Sequence, residues 1–99
     1  MADDELLRRV MDWVQKTCDG LWEHGPAFGI DMVDNPGWKV EVFLRQTKHE
    51  ATPLEELNID AGDTDWIRCW KKDGVFHGVG DLAKLPQILE YFLQHVDRQ

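Results

Sequence analysis

Cysteine, basic side chains and long apolar runs are all scarce in this chain, and each scarcity removes a class of protein. Two cysteines, Cys18 and Cys69, stand far apart, too few for a disulfide framework, so reduced thiols are expected. No apolar stretch approaches the ~20 residues of a membrane span. The acidic start Met1-Ala2-Asp3-Asp4-Glu5 is unlike the basic start of a secretory signal, so the cytoplasm is the expected location, without a membrane partner. Lys and Arg total 11 against 19 Asp and Glu, a formal charge of −8. That balance repels phosphate backbones, so direct nucleic-acid binding is not expected, and it favours basic partners.

What is present suffices for a folded core. Hydrophobic residues make up 42% of the 99 positions and low-complexity tracts are absent, which argues against a disordered chain. A chain this short supports one core, so residues 1–99 are expected to form a single domain.

The acidic residues Asp3, Asp4 and Glu5 suit a helix N-terminus, and Leu6, Leu7, Val10, Met11, Val14 and Cys18 follow at helical spacing, predicting a helix over about 4–17. Asp19-Gly20 stops it, and 21–27 reads as a loop carrying Trp22, Glu23 and His24. From Phe28 the period changes to two. Asp34-Asn35-Pro36-Gly37 then reverses the chain into Trp38 to Leu44, giving a first hairpin. Residues 46–62 are polar, and Thr52-Pro53-Leu54-Glu55-Glu56-Leu57 reads as one short helical turn after a threonine cap. Trp66 to Lys71, Asp73-Gly74 and Val75 to Val79 form a second hairpin. Asp81 caps a turn, and Leu85, Ile88, Leu89, Phe92 and Val96 form the apolar stripe of a last helix. The expected architecture is α+β: a four-stranded antiparallel sheet of two hairpins, flanked by N-terminal and C-terminal helices.

Phe43, Trp66 and Trp70 have opposite strand parity to Val40, Val42, Ile67 and Cys69. Two arrangements satisfy this: the tryptophans enter the core and Ile67 and Cys69 point out, which is the simpler expectation, or the second face presents an aromatic patch to a partner.

No constellation specifies chemistry. Cys18, His24, Cys69 and His77 are zinc-ligand types, but intervals of five and seven intervening residues match no tight ligand spacing. Cys18 near His24 suggests a thiol and its base, yet Cys18 falls on the helix stripe and nothing supplies an oxyanion hole. No metal or cofactor is expected. Asp19, Glu23, Asp31 and Asp34 read as a solvated acidic rim which, beside Trp22 and Trp38, suits a basic protein.

Several strings are more specific than the composition: Cys18-Asp19-Gly20 with Trp22-Glu23-His24, Asp34-Asn35-Pro36-Gly37-Trp38, Asp65-Trp66, Gly78 and Gly80 after Phe76, and the closing Leu85, Leu89 and Phe92. In these the chain resembles the bacterial polymorphic-toxin immunity proteins numbered 53 in the immunity series. It departs from them at Met32-Val33, where Thr-Leu is common. The resemblance implies a cytoplasmic antitoxin, not an enzyme, that binds a cognate toxin domain and blocks it; the acidity suits a basic toxin such as a nuclease. The expected contact surface joins Asp19, Trp22, Glu23 and His24 to Asp34, Asn35 and Trp38 and to Asp65 and Trp66, because tryptophan is enriched at binding hot spots. Two alternatives stand beside it: a small metal-dependent hydrolase using Asp19, Glu23, His24 and Asp34, and an interaction module without a toxin, homodimer included.

Overall fold

The computed structural model describes residues 2–97. Helix α1 spans Ala2–Thr17 and helix α2 spans Leu85–Asp97, where periodicity and end signals predict them. The buried stripe of α1 is narrower than its apolar spacing suggests: Leu6 and Val10 are buried and Trp13 packs on the core, whereas Leu7 and Met11 are 50% and 62% exposed. The cause is the way α1 leans on α2. Arg9 reaches Glu90 at 3.1 Å, and Trp13 meets Phe92 edge to face with ring centroids 4.9 Å apart, so the flank bearing Leu7 and Met11 turns outward. Cys18 follows the end of α1 and is exposed, which corrects its expected place on a buried stripe.

Five strands, not four, make the sheet: β1 (Phe28–Val33), β2 (Gly37–Phe43), β3 (Leu57–Asp60), β4 (Trp66–Lys72) and β5 (Val75–Gly80). Their order is β1-β2-β5-β4-β3, and every pairing is antiparallel. The unforeseen strand is β3, whose Leu57 and Ile59 lie opposite Cys69 and Ile67. Residues 52–56 form no helical turn. Side chains from elsewhere hold this segment: Lys71 Nζ donates to the carbonyls of His49 and Thr52, and the Tyr91 hydroxyl donates to that of Glu55. These tertiary bonds occupy carbonyls that a local helix would have used.

Both expected hairpins form. The Asn35–Pro36 peptide in the first turn is cis. In the second, Asp73 and Gly74 have φ of 55° and 77°, the paired positive values of a tight turn matched to strand twist. After β2 the chain crosses to the far edge through 44–56, and β5 returns between β2 and β4.

The core lies on one face of the sheet. Val40, Val42, Ile67, Cys69 and Phe76 meet Ile88, Leu89, Phe92 and Leu93 of α2, with Leu6 and Val10 of α1 in the same cluster. Close approach of α2 depends on two glycines of β5. A Cβ at Gly78 would collide with Ile88 Cγ2, and one at Gly80 would stand 2.7 Å from Lys84 Cβ. This settles the parity question against the simpler expectation: Ile67 and Cys69 point into the core, at 3% and 0% exposure. Trp66 and Trp70 are half-buried on the opposite face. Burial pushes the Cys69 thiol up to about 12, so it remains a protonated apolar group.

Candidate functional site

The expected contact residues fall at two ends of the molecule. At one end the α1–β1 connection is a self-bonded loop. Asp19 Oδ1 accepts from the N–H groups of Leu21 and Trp22, both at 2.9 Å, while Glu23 accepts from those of Asp19 at 3.0 Å and Gly20 at 2.9 Å. Donation from Trp22 and then Leu21 holds the Asp19 carboxyl below its ordinary pKa. Trp22 Nε1 donates to the Phe43 carbonyl at 2.7 Å, and its ring meets Trp13 edge to face. His24 is exposed at the end of the short 3-10 turn Trp22–His24. Asp19, Glu23 and Trp22 therefore shape this loop and pin it to the sheet.

At the other end the structure brings the Asp34–Trp38 turn beside Asp65-Trp66. A Cβ on Gly37 would lie 3.1 Å from the Trp66 ring. Asp81 ties this end together. Its Oδ2 accepts from Trp66 N at 2.9 Å and Lys84 Nζ at 2.7 Å, and its Oδ1 from Ala83 N at 2.8 Å. Lys84, with these N–H donors behind it, draws the Asp81 carboxyl down to about 2. Lys84 also reaches Asp65 at 2.8 Å, so Asp65 is already charge-matched. Trp38 lies on the helix-covered face and donates Nε1 to the Leu82 carbonyl at 3.0 Å. Asp34 and Asn35 stay exposed in the turn.

The two ends do not form one patch, because β1 and β2 run between them. Phe28 pairs with Val42 near the first loop, and Val33 pairs with Gly37 at the second turn. Strand geometry puts these ends about 17 Å apart. Asp34 is thereby separated from Asp19, Glu23 and His24, which dismantles the hydrolase grouping. Among the described residues no three His, Cys, Asp or Glu side chains come together as a metal-holding group. Cys69 and His77 point to opposite faces of the sheet.

Between the ends runs the face that no helix covers. Across it, Trp70 stacks on His77 with ring centroids 5.0 Å apart and planes inclined by 12°, and the Arg68 guanidinium lies 4.6 Å from the Trp70 ring centre. His77 Nδ1 is 3.4 Å from Glu41, Lys39 is 3.5 Å from Glu41, and Arg68 is 3.0 Å from Glu56. Towards the Asp34 turn, a hollow of about 450 Å³ is lined by Asn35, Asn58, Asp60, Asp63, Trp66 and Val79 among others. The sequence reading does not single out Arg68, Asp60 and Asp63, and weighs His77 only as a zinc-ligand type. The signal available for them was parity: Trp66, Arg68 and Trp70 alternate on one side of β4, and His77 lies directly opposite Trp70. A larger groove of about 650 Å³ lies against α1, the Asp19 loop and 46–49. In it Arg9 is already committed to Glu90 and Asp97.

In comparison with known proteins, the family model described as Immunity protein 53 matches residues 7–97. No curated protein and no solved structure matches the chain.

Proposed function

The chain belongs to the immunity protein 53 family, and from that premise we propose that it is an antitoxin that neutralises a cognate bacterial toxin by binding it rather than by catalysis. The match of residues 7–97 to that family carries the reading. The net charge of −8 supports a basic toxin, and a nuclease is the basic enzyme we propose, since a nuclease must itself attract phosphate. Of the residues expected at the contact, we assign that role to Asn35 and Trp66, which line one hollow, and to Asp34, exposed beside Asn35 in the turn. To Asp19, Trp22, Glu23, Trp38 and Asp65 we assign the shaping of the two ends; His24 borders the first loop.

Sequencing the flanking genes for a toxin domain, and co-expressing this protein with the domain found, tests this reading. The expected result is restored growth of toxin-expressing cells, a stable complex of the two purified proteins, and loss of toxin nuclease activity in that complex. Absence of both complex and protection would refute the antitoxin role. Protection against a toxin without nuclease activity would refute only the nuclease assignment.

A further inference from the structure

Both helices pack on one side of the sheet, so no helix covers the alternate side chains of β2, β5 and β4 on the other. We propose that this uncovered face, centred on Trp70, is the surface that receives the toxin, and that the toxin fills the hollow beside Trp66 with an arginine or lysine. The proposal rests on the antitoxin reading and names the surface and the chemistry of its partner.

The central row is fixed before any partner arrives. Trp70 is held between the His77 ring and the Arg68 guanidinium, and Glu41 and Glu56 hold the outer members of the row at 3.4 Å and 3.0 Å. An aromatic anchor already held in place loses little conformational freedom on binding, and Trp and Arg are the residue types richest in binding energy at interfaces.

Charge names the partner. Of the three bases on the face, Lys39 and Arg68 are matched by Glu41 and Glu56, and Lys72 lies exposed at the end away from Trp66. Asp31, Asp60 and Asp63 have no ion pair among the described residues and are exposed. The surplus is therefore negative. Asp60 and Asp63 border the hollow together with Trp66, Val79 and Arg68, whose guanidinium is held by Glu56. A long basic side chain fits such a lining, its methylene stem against the apolar groups and its cationic head at the carboxylates.

The probe is the purified toxin domain found by that flanking-gene search, titrated against this protein at low and high salt. Trp70→Ala is expected to weaken affinity about 30-fold or more while the protein stays folded. Asp63→Lys is expected to slow association about tenfold at low salt and to flatten its salt dependence. Glu5→Lys changes net charge equally on exposed α1 and is expected to keep association within about twofold of wild type. Folded Trp70→Ala and Asp63→Lys proteins that bind and protect like wild type would overturn the assigned surface and leave the antitoxin role intact. Should Trp70→Ala fail to fold, the contrast between Asp63→Lys and Glu5→Lys decides. Equal slowing by those two would show that net charge, not this face, sets the encounter, and would overturn the proposal. Wild-type protein that neither binds nor protects would defeat the antitoxin reading itself, and this surface with it.

Discussion

The two faces of the sheet are built from alternate residues of the same strands, yet they answer different physical demands. On the helix-covered face Val40, Val42, Cys69 and Phe76 are fully buried and two glycines let α2 settle onto β5. Every polar group there would have to be matched. On the open face the central row keeps polar partners and partial access to water: His77 beside Glu41, Arg68 beside Glu56, and Trp70 beside both His77 and Arg68. Large apolar area thus has two uses in one sheet, and polar company distinguishes the face that supports the fold from the one available to a partner.

The sharpest way to test that difference is to remove one aromatic from each face. Phe92→Ala takes away a ring that touches Trp13, Phe28 and Phe76, and should lower stability by about 3–5 kcal/mol. Trp70→Ala should lower it by about 1 kcal/mol. Urea unfolding of both variants checks this, and equal losses would erase the distinction between the faces. Next in size is Gly78→Ala, whose methyl group collides with Ile88. Overpacking of this kind costs about 1–3 kcal/mol, visible as a lower melting temperature, and an unchanged melt would mean that α2 sits less tightly than described.

A third test addresses the end where the faces join. The Asp81 carboxyl is drawn from an ordinary 3.8 to about 2, so its contribution to stability is complete above 3.8 and is lost as pH falls through about 2. Asp81→Asn should be less stable than wild type at neutral pH and should show a flatter decline across that acid window. Parallel curves for the two proteins would remove Asp81 as the tie between Trp66 and Lys84. The smallest effect is expected from Glu56→Gln, which breaks an exposed pair with Arg68. A loss of at most about 0.5 kcal/mol, vanishing at high salt, is the outcome to look for in denaturant midpoints. A larger loss would mean that the open-face row supports the fold as well.

Both helices and both hairpins were legible in the sequence because their signals are local: apolar spacing, Asp73-Gly74, and the turn before Trp38. Strand β3 was not, because a four-residue alternation is short and Thr52-Pro53 imitates a helix start. Its placement is decided by Cys69 and Ile67 opposite it and by Lys71 and Tyr91 behind it, all distant in sequence. The tryptophan parity was readable and its sense was not, since the face that α2 covers depends on the glycines of β5. Of the expected contact residues, the structure brings Asn35 and Trp66 to one hollow, a proximity that the turn before Trp38 made legible. The local role of Asp19 and Glu23 was not legible: their acidity drew attention, whereas their oxygens accept from neighbouring N–H groups.

The strand order also bears on how the chain reaches this structure. Two hairpins close locally, but β2 pairs with β5 by joining Trp38 to Gly80 and Phe43 to Val75, and only that meeting creates a surface for α2 to bury. The loop entropy of those separations must be met before the core rewards it. The rate-limiting event in folding should accordingly be the docking of one preformed hairpin against the other. Substitutions along the β2–β5 seam would then slow folding, whereas those on the outer strands β1 and β3 would chiefly hasten unfolding.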